Sequence, residues 1–360
     1  MHIDTIKAYR LQVPLTVPYR LAFGPVEYFD TVIVEMTDTD GRVGFGEATI
    51  LTGYTDETIE GCWQAAQQFA REFDGDPAKL MRLGQKFPFT ATAFGSALEM
   101  LNGAGTLAVA VTTRVPVLGL LNAKEGEAIA KEFQQLLEAG YRTIKVKVGF
   151  DPEKDARMVK AIQQAVKGRA RIRIDANQGY SADEGVAFAR ALDPDDIELF
   201  EQPCAAGDWD AHLAVARVAP VPMMVDESIY GLADIDKTAK LKAAAYVKVK
   251  LMKMVTLDAL VQAIDRIKEL GMTPVLGNGV ACDPGCWMEA CVAAHHIGNA
   301  GEMNGFLKTR TALLRPGLGF ERGAIVLEPG FAPRLDQASL DKHLVDSLVC
   351  TPRATSRIAS

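Results

Sequence analysis

The ends of eight short apolar runs fall at almost constant spacing along this chain, and few folds accept such a pattern. From Val115 onward each run is followed by a turn and an amphipathic stretch of roughly 12 to 18 residues, then by another run. The predicted strands are Val117–Leu121, Thr143–Val148, Ile172–Ala176, Glu198–Glu201, Met223–Asp226, Tyr246–Leu251, Thr273–Leu276 and Gly301–Asn304. With Leu120, Lys147, Asp175, Glu201, Asp226, Lys250, Gly277 and Glu302 as markers, the successive intervals are 27, 28, 26, 25, 24, 27 and 25 residues. One strand, one helix and two short loops fill each interval, which predicts an α/β fold of the eight-fold (β/α) barrel type. A doubly wound open sheet shares the alternation, but no GxGxxG follows the first strand.

The preceding region reads as α+β. Thr31–Met36 and Val43–Ala48 are predicted strands around the turn Asp38-Thr39-Asp40-Gly41, and helices are predicted over about residues 55–73 and 90–111. After Phe306 the rhythm stops, and the tail from Pro316 is expected to hold a final helix and return against the N-terminal region. The predicted division is 1–112, an α+β capping domain; 113–315, the barrel; and 316–360, the returning segment. With 48% hydrophobic and 24% charged residues among 360, the chain carries enough apolar surface for a sizeable core. The longest stretch without Asp, Glu, Lys or Arg is Met100–Thr113, 14 residues, too short to span a membrane. The charges, 39 basic against 46 acidic, are spread without blocks, which argues against nucleic acid as a partner. No basic stretch leads into an apolar core at the N-terminus, so a cytoplasmic location is expected. Six cysteines without CxxC spacing read as reduced thiols.

Active sites of such barrels sit at the carboxyl ends of the strands, where this sequence places charge. Lys145 and Lys147 are two apart on the second strand, so both are expected to point into the barrel while Ile144, Val146 and Val148 face the helices. Mutual repulsion and desolvation would push a lysine pKa toward neutrality and make it a usable base. Asp175, Glu201 and Asp226 end the next three strands and would converge. Three uncompensated anions call for a hard divalent cation, and all-oxygen ligation points to Mg²⁺ or Mn²⁺. Asn177 lies two beyond Asp175 on the same face, and Lys248 and Lys250 close the sixth strand. The arrangement is base, metal, base, suited to taking the α-proton of a carboxylate substrate and stabilising the dianion that forms.

Taken together, TIKVKVG, RIDANQGY, LFEQP, VDES and VKVKLMK resemble the enolase superfamily, specifically its muconate lactonising enzyme subgroup. The resemblance implies a (β/α)₇β TIM-type barrel with an N-terminal α+β cap, and the superfamily's known strategy of a lysine base with a metal-stabilised enediolate. It implies metal ligation by Asp175, Glu201 and Asp226 with Glu227 beside the third, acid/base roles for Lys147 and Lys250, and Lys145 as the tuning neighbour. Cap residues Tyr19, Arg20, Phe23, Thr52 and Tyr54 would lie over the barrel mouth, and Tyr54 is a candidate substrate contact. The sequence departs from the pattern at Met254-Val255, where a Gly-Gly is usual. It departs again at Glu302-Met303-Asn304, where amino-acid-handling relatives carry DxD.

The implied enzyme is an isomerase (racemase, epimerase or cycloisomerase) or a lyase (dehydratase). Two lysines suit an amino-acid or imino-acid racemase or epimerase, and equally a dehydratase of the hydroxyproline type. A muconate-type cycloisomerase is the alternative. A metal-dependent hydrolase would prefer histidine ligands, and none ends a strand; an inactive binding barrel would have lost a lysine or carboxylate, and none is missing. The expected partner is a small-molecule carboxylate, with homo-oligomerisation implied and no membrane or nucleic acid. Glu302 and Asn304, two apart on the eighth strand, are expected to face the metal. With no evident partner for Glu302, a substrate ammonium or iminium is the cation it calls for.

Overall fold

In the computed structural model, which describes residues 2–21, 24–52, 55 and 57–351, strand Ile3–Leu21 pairs antiparallel with Gly24–Asp38 on one side and with Leu344–Cys350 on the other. Val43–Ile50 adds the fourth strand. The turn before it forms as the sequence requires: Gly41 takes φ +78°, and Asp38 accepts from the N–H groups of Asp40 at 3.0 Å and Arg42 at 2.9 Å. The first strand was not singled out from sequence. Helix Ile59–Glu72 starts at an N-cap on Thr58, and Pro88–Leu101 lies directly on the sheet. Glycine makes that approach possible, since a Cβ at Gly44 or Gly46 would stand 2.1 or 2.2 Å from a helix carbonyl oxygen.

The second unit is a (β/α)₇β barrel. Seven parallel strands run in the order of the chain: Gly119–Leu121, Thr143–Lys147, Arg171–Asp175, Ile197–Glu201, Met223–Val225, Tyr246–Val249 and Thr273–Leu276. The expected eighth strand is shorter than predicted. Only Gly301 bridges Val117, with its N–H on Pro116 O at 3.0 Å, while Glu302 N–H reaches Leu276 O at 2.9 Å. These contacts close the circle between the first and seventh strands. The chain then turns, with Asn304 N–H on Glu302 O at 2.6 Å, so residues 302–304 do not continue as strand.

Alternation along each strand divides the layers. Ile144, Val146, Ile172, Ile174 and Phe200 face outward and pack with Phe133, Val159, Ile162 and Phe188 of the helices. Leu199, Met224 and Val275 fill the middle of the barrel. Below them Arg173, fully buried, meets Glu198 at 3.0 Å and donates to Ala300 O at 2.7 Å. The layer above is the polar rim.

Two cap-domain carboxylates join the units. Glu47 accepts from Cys282 N–H at 2.6 Å and Gly285 N–H at 2.8 Å, at the start of helix Asp283–His296. Glu99 accepts from Leu257 and Asp258 N–H, at the start of Leu257–Glu269. Each places negative charge on the positive end of a barrel helix. All six cysteines are free, and among the described residues no helix is long and apolar enough to cross a membrane.

Candidate active site

The strand ends deliver Lys145, Lys147, Asp175, Glu201, Asp226, Lys248 and Lys250 to one rim. Lys145 Nζ is buried, 2.7 Å from Asp175 Oδ2 and 3.0 Å from Glu201 Oε2, and it also bonds Glu302 Oε1. Lys248 Nζ bridges Glu201 Oε1 at 2.5 Å and Glu302 Oε2 at 2.7 Å. Lys147 is 2.6 Å from Asp175 Oδ2 with its side chain 40% exposed, against 3% for Lys145, so it is the more accessible of these two lysines of the rim cavity. Across the barrel, Lys250 Nζ lies 2.8 Å from Asp226 Oδ1. Asn177, held at φ 42°, accepts from Lys147 and donates to Glu227 Oε1 at 2.9 Å. Gln202, itself at φ 38°, accepts from Asp226 N–H at 2.8 Å and fixes that strand end.

Charge pairing decides the protonation states. Burial opposes ionisation of Asp175, but the ammonium groups of Lys145, Lys147 and Lys248 outweigh it and hold its carboxyl low. Asp226 is lowered in the same way, burial being overcome by Lys250, Lys248 and Lys253. In Glu201 burial and the neighbouring Asp175 prevail, and its pKa rises. Burial pulls Lys145 down, yet Asp175, Glu201 and Glu302 together carry it well above the usual lysine range. The expected depression by the neighbouring lysine is thus reversed at Lys145, because three carboxylates touch it and the sequence showed only its strand neighbours.

The carboxylates do not converge on one empty point. Among the described residues no three His, Cys, Asp or Glu side chains stand together as an ion would need, because Lys145 and Lys248 lie between them. Glu227 Oε2 is buried and accepts no hydrogen bond, and Glu201 Oε2 and Asp226 Oδ1 meet only lysine ammonium groups, Lys145 at 3.0 Å and Lys250 at 2.8 Å. All are hard carboxylate oxygens held by nothing but cations, so the residues fit a divalent cation in the chemistry of the donor set.

Glu302 departs from expectation more clearly. Both its oxygens are taken by lysines, and burial is overcome by Lys145 and Lys248, which lower its pKa far below the ordinary value. No substrate cation is needed to balance it. Asn304 donates to Leu118 O at 3.3 Å and leaves Oδ1 buried without a partner. The cavity at the rim is lined by Lys147, Asn177, Lys250 and Asn304, together with Asn278 and Lys308, which sequence reasoning missed. Asn278 was signalled by its place one residue past the marker Gly277; Lys308, beyond the last strand, had no periodic signal. Lys253 was also missed: it donates to Asp226 O at 3.0 Å and Ile229 O at 2.9 Å and holds the fifth strand's loop. Tyr54 and Phe23 lie outside the described residues, as do the side chains of Tyr19 and Arg20.

Residues 128–338, more than half of the chain, match the family model described as Enolase C-terminal domain-like. The chain is 31% identical to the L-Lys-D/L-Arg epimerase of Methylococcus capsulatus over 270 residues, 70% of this chain and 76% of that one. It is 24% identical to the N-succinyl-L-Arg/Lys racemase of Bacillus cereus over 311 residues, 82% of each. The dipeptide epimerase of Cytophaga hutchinsonii, solved with Mg and the dipeptide D-Ala-L-Val, superposes with a TM-score of 0.85 at 20% identity, over 97% of this chain and 100% of that one.

Proposed function

Because the chain belongs to the enolase superfamily, in the branch of mandelate racemase and the muconate lactonising enzymes, and is an isomerase of that superfamily, we propose that it interconverts the two configurations at the α-carbon of an amino-acid carboxylate whose nitrogen is in amide linkage. The observation that carries this reading is the opposition of two lysines. Lys147 stands at Asp175 on the second barrel strand and Lys250 at Asp226 on the sixth. One lysine, as the free amine, takes the α-proton and leaves an enediolate. The other delivers a proton to the opposite face, and the reverse reaction exchanges their roles. Asp175, Glu201 and Asp226, with Glu227 beside them, would hold a Mg²⁺ or Mn²⁺ ion, which when bound supplies positive charge against the developing dianion. The Mg reported with the Cytophaga hutchinsonii enzyme supports that cofactor.

Amide linkage is favoured over a free ammonium by Glu302. Its charge is already shared between Lys145 and Lys248, while Asn304 offers the cavity a neutral, unused acceptor suited to an amide N–H. The names of the relatives, an N-succinyl amino-acid racemase and dipeptide epimerases, support the same class. The test is proton NMR in D₂O, with Mg²⁺, over N-acyl amino acids, dipeptides, free amino acids and hydroxyprolines. Wash-in at the α-carbon of the amide-linked substrates, without net product, is expected; an imine or keto product would instead report dehydration. Absence of exchange with every member of the panel would sink the proposal.

A further inference from the structure

The peptide that follows Lys250 is held from both sides. Leu251 N–H donates to Glu289 Oε1 at 2.9 Å, from barrel helix Asp283–His296, and Leu251 O lies 3.3 Å from Thr92 Oγ1 of cap helix Pro88–Leu101, whose one hydroxyl proton it shares with the nearer Pro88 O at 2.8 Å. Glu289 is 1% exposed, no cation forms a salt bridge with it among the described residues, and its Oε2 accepts no hydrogen bond. It lines a small buried cavity between cap and barrel with Glu47, Thr92 and Asn278, and Asn278 also borders the rim cavity that contains Lys250. A buried carboxyl without a cation is a costly way to fill space. What it provides here is a strong acceptor for one backbone N–H, at the corner where strand turns into the short helix Leu251–Met254.

We propose that Glu289 is a positioning residue for Lys250: by fixing the Leu251 peptide it sets the direction from which the Lys250 ammonium meets the substrate, with Thr92 as its counterpart from the cap. The inference rests on the reading of Lys147 and Lys250 as opposed acid/base groups. Burial pushes the Glu289 carboxyl up to about 8, so it is a neutral acid at neutral pH, and glutamine can reproduce its acceptor. Lys147 sits on the second strand, with its partners on Asp175 and Asn177, away from this clamp. A loss of the clamp therefore affects one face of the substrate only.

The experiment measures deuterium wash-in separately from each enantiomer of a substrate the wild type racemises, for E289A, E289Q and T92V, with thermal unfolding as a control. E289A is expected to slow exchange from one enantiomer at least about tenfold, and from the other by less than about twofold, with KM unchanged. E289Q should restore most of the loss, and T92V should slow the same enantiomer by about threefold, a readout that remains if E289A does not fold. Parallel loss for both enantiomers, or no loss in either E289A or T92V, would overturn the proposal while leaving the isomerase reading intact. No exchange by the wild type would overturn both.

Discussion

At the scale of single residues, the rim is a charge lattice in which Lys145 and Lys248 bind together Asp175, Glu201 and Glu302. Removing one member leaves buried partners uncompensated, whereas Lys147 and Lys250 are the more exposed lysines of the rim, with side chains 40% and 15% exposed. Different losses follow. Lys147→Ala and Lys250→Ala should each abolish net racemisation, and each should retain exchange from only one, opposite, enantiomer; exchange of both enantiomers in both variants would contradict the assignment. Glu302→Gln should lower kcat/KM for amide-linked and free amino acids alike, since it unpairs two lysines and touches no substrate cation. A selective loss for cationic substrates, by about 1.5 to 3 kcal/mol, would return Glu302 to substrate recognition. The lysines and carboxylates were legible because each ends a strand in a fixed rhythm. Their pairing was not, because Glu302 reaches Lys145 over 157 positions and Lys248 over 54, distances no local period encodes.

At the scale of elements, buried acids accept from helix starts both across the joint between cap and barrel, at Glu47, and beside it within the barrel, at Glu289, and this makes the region sensitive to pH. Burial pushes Glu47 up to about 7 and Glu289 up to about 8, each partly offset by hydrogen bonds. Unfolded glutamate releases its proton near pH 4.5, so over the interval from there to about 8 the folded chain binds more protons than the unfolded one, and these two groups make stability fall as pH rises. Glu289→Gln, which does not titrate, should therefore be more stable relative to wild type at pH 8.5 than at pH 5, by on the order of 4 kcal/mol; an equal difference at the two pH values in denaturant melts would exclude this. The strand and helix alternation could be read from apolar period alone. The end of the eighth strand could not, since it is set by the turn of Asn304 N–H onto Glu302 O, and neither could strand Ile3–Leu21, whose Pro14 and Pro18 interrupt the usual strand signal.

At the scale of the molecule, the proposed function has carboxylates from three strands serving one ion, and on that reading metal binding should stabilise the whole barrel. Mg²⁺ or Mn²⁺ is expected to raise Tm in wild type, and to lose that effect in Asp175→Asn or Glu201→Gln, which should also lose activity by at least about a hundredfold. Full turnover after exhaustive chelation would remove the ion from the mechanism. The four-stranded sheet of the cap carries a different consequence, one of timing. Ile6 pairs with Cys350, 344 positions later, whereas each barrel strand finds its neighbour within about one βα unit. At ribosomal rates of roughly 5 to 20 residues per second, the first strand waits about 20 to 70 s for that partner. During synthesis the barrel strands have their neighbours long before the cap sheet has its fourth member, and for that interval Ile3–Leu21 is an open edge, so the arrival of Leu344–Cys350 is what ends that edge's exposure to neighbouring nascent chains on the polysome.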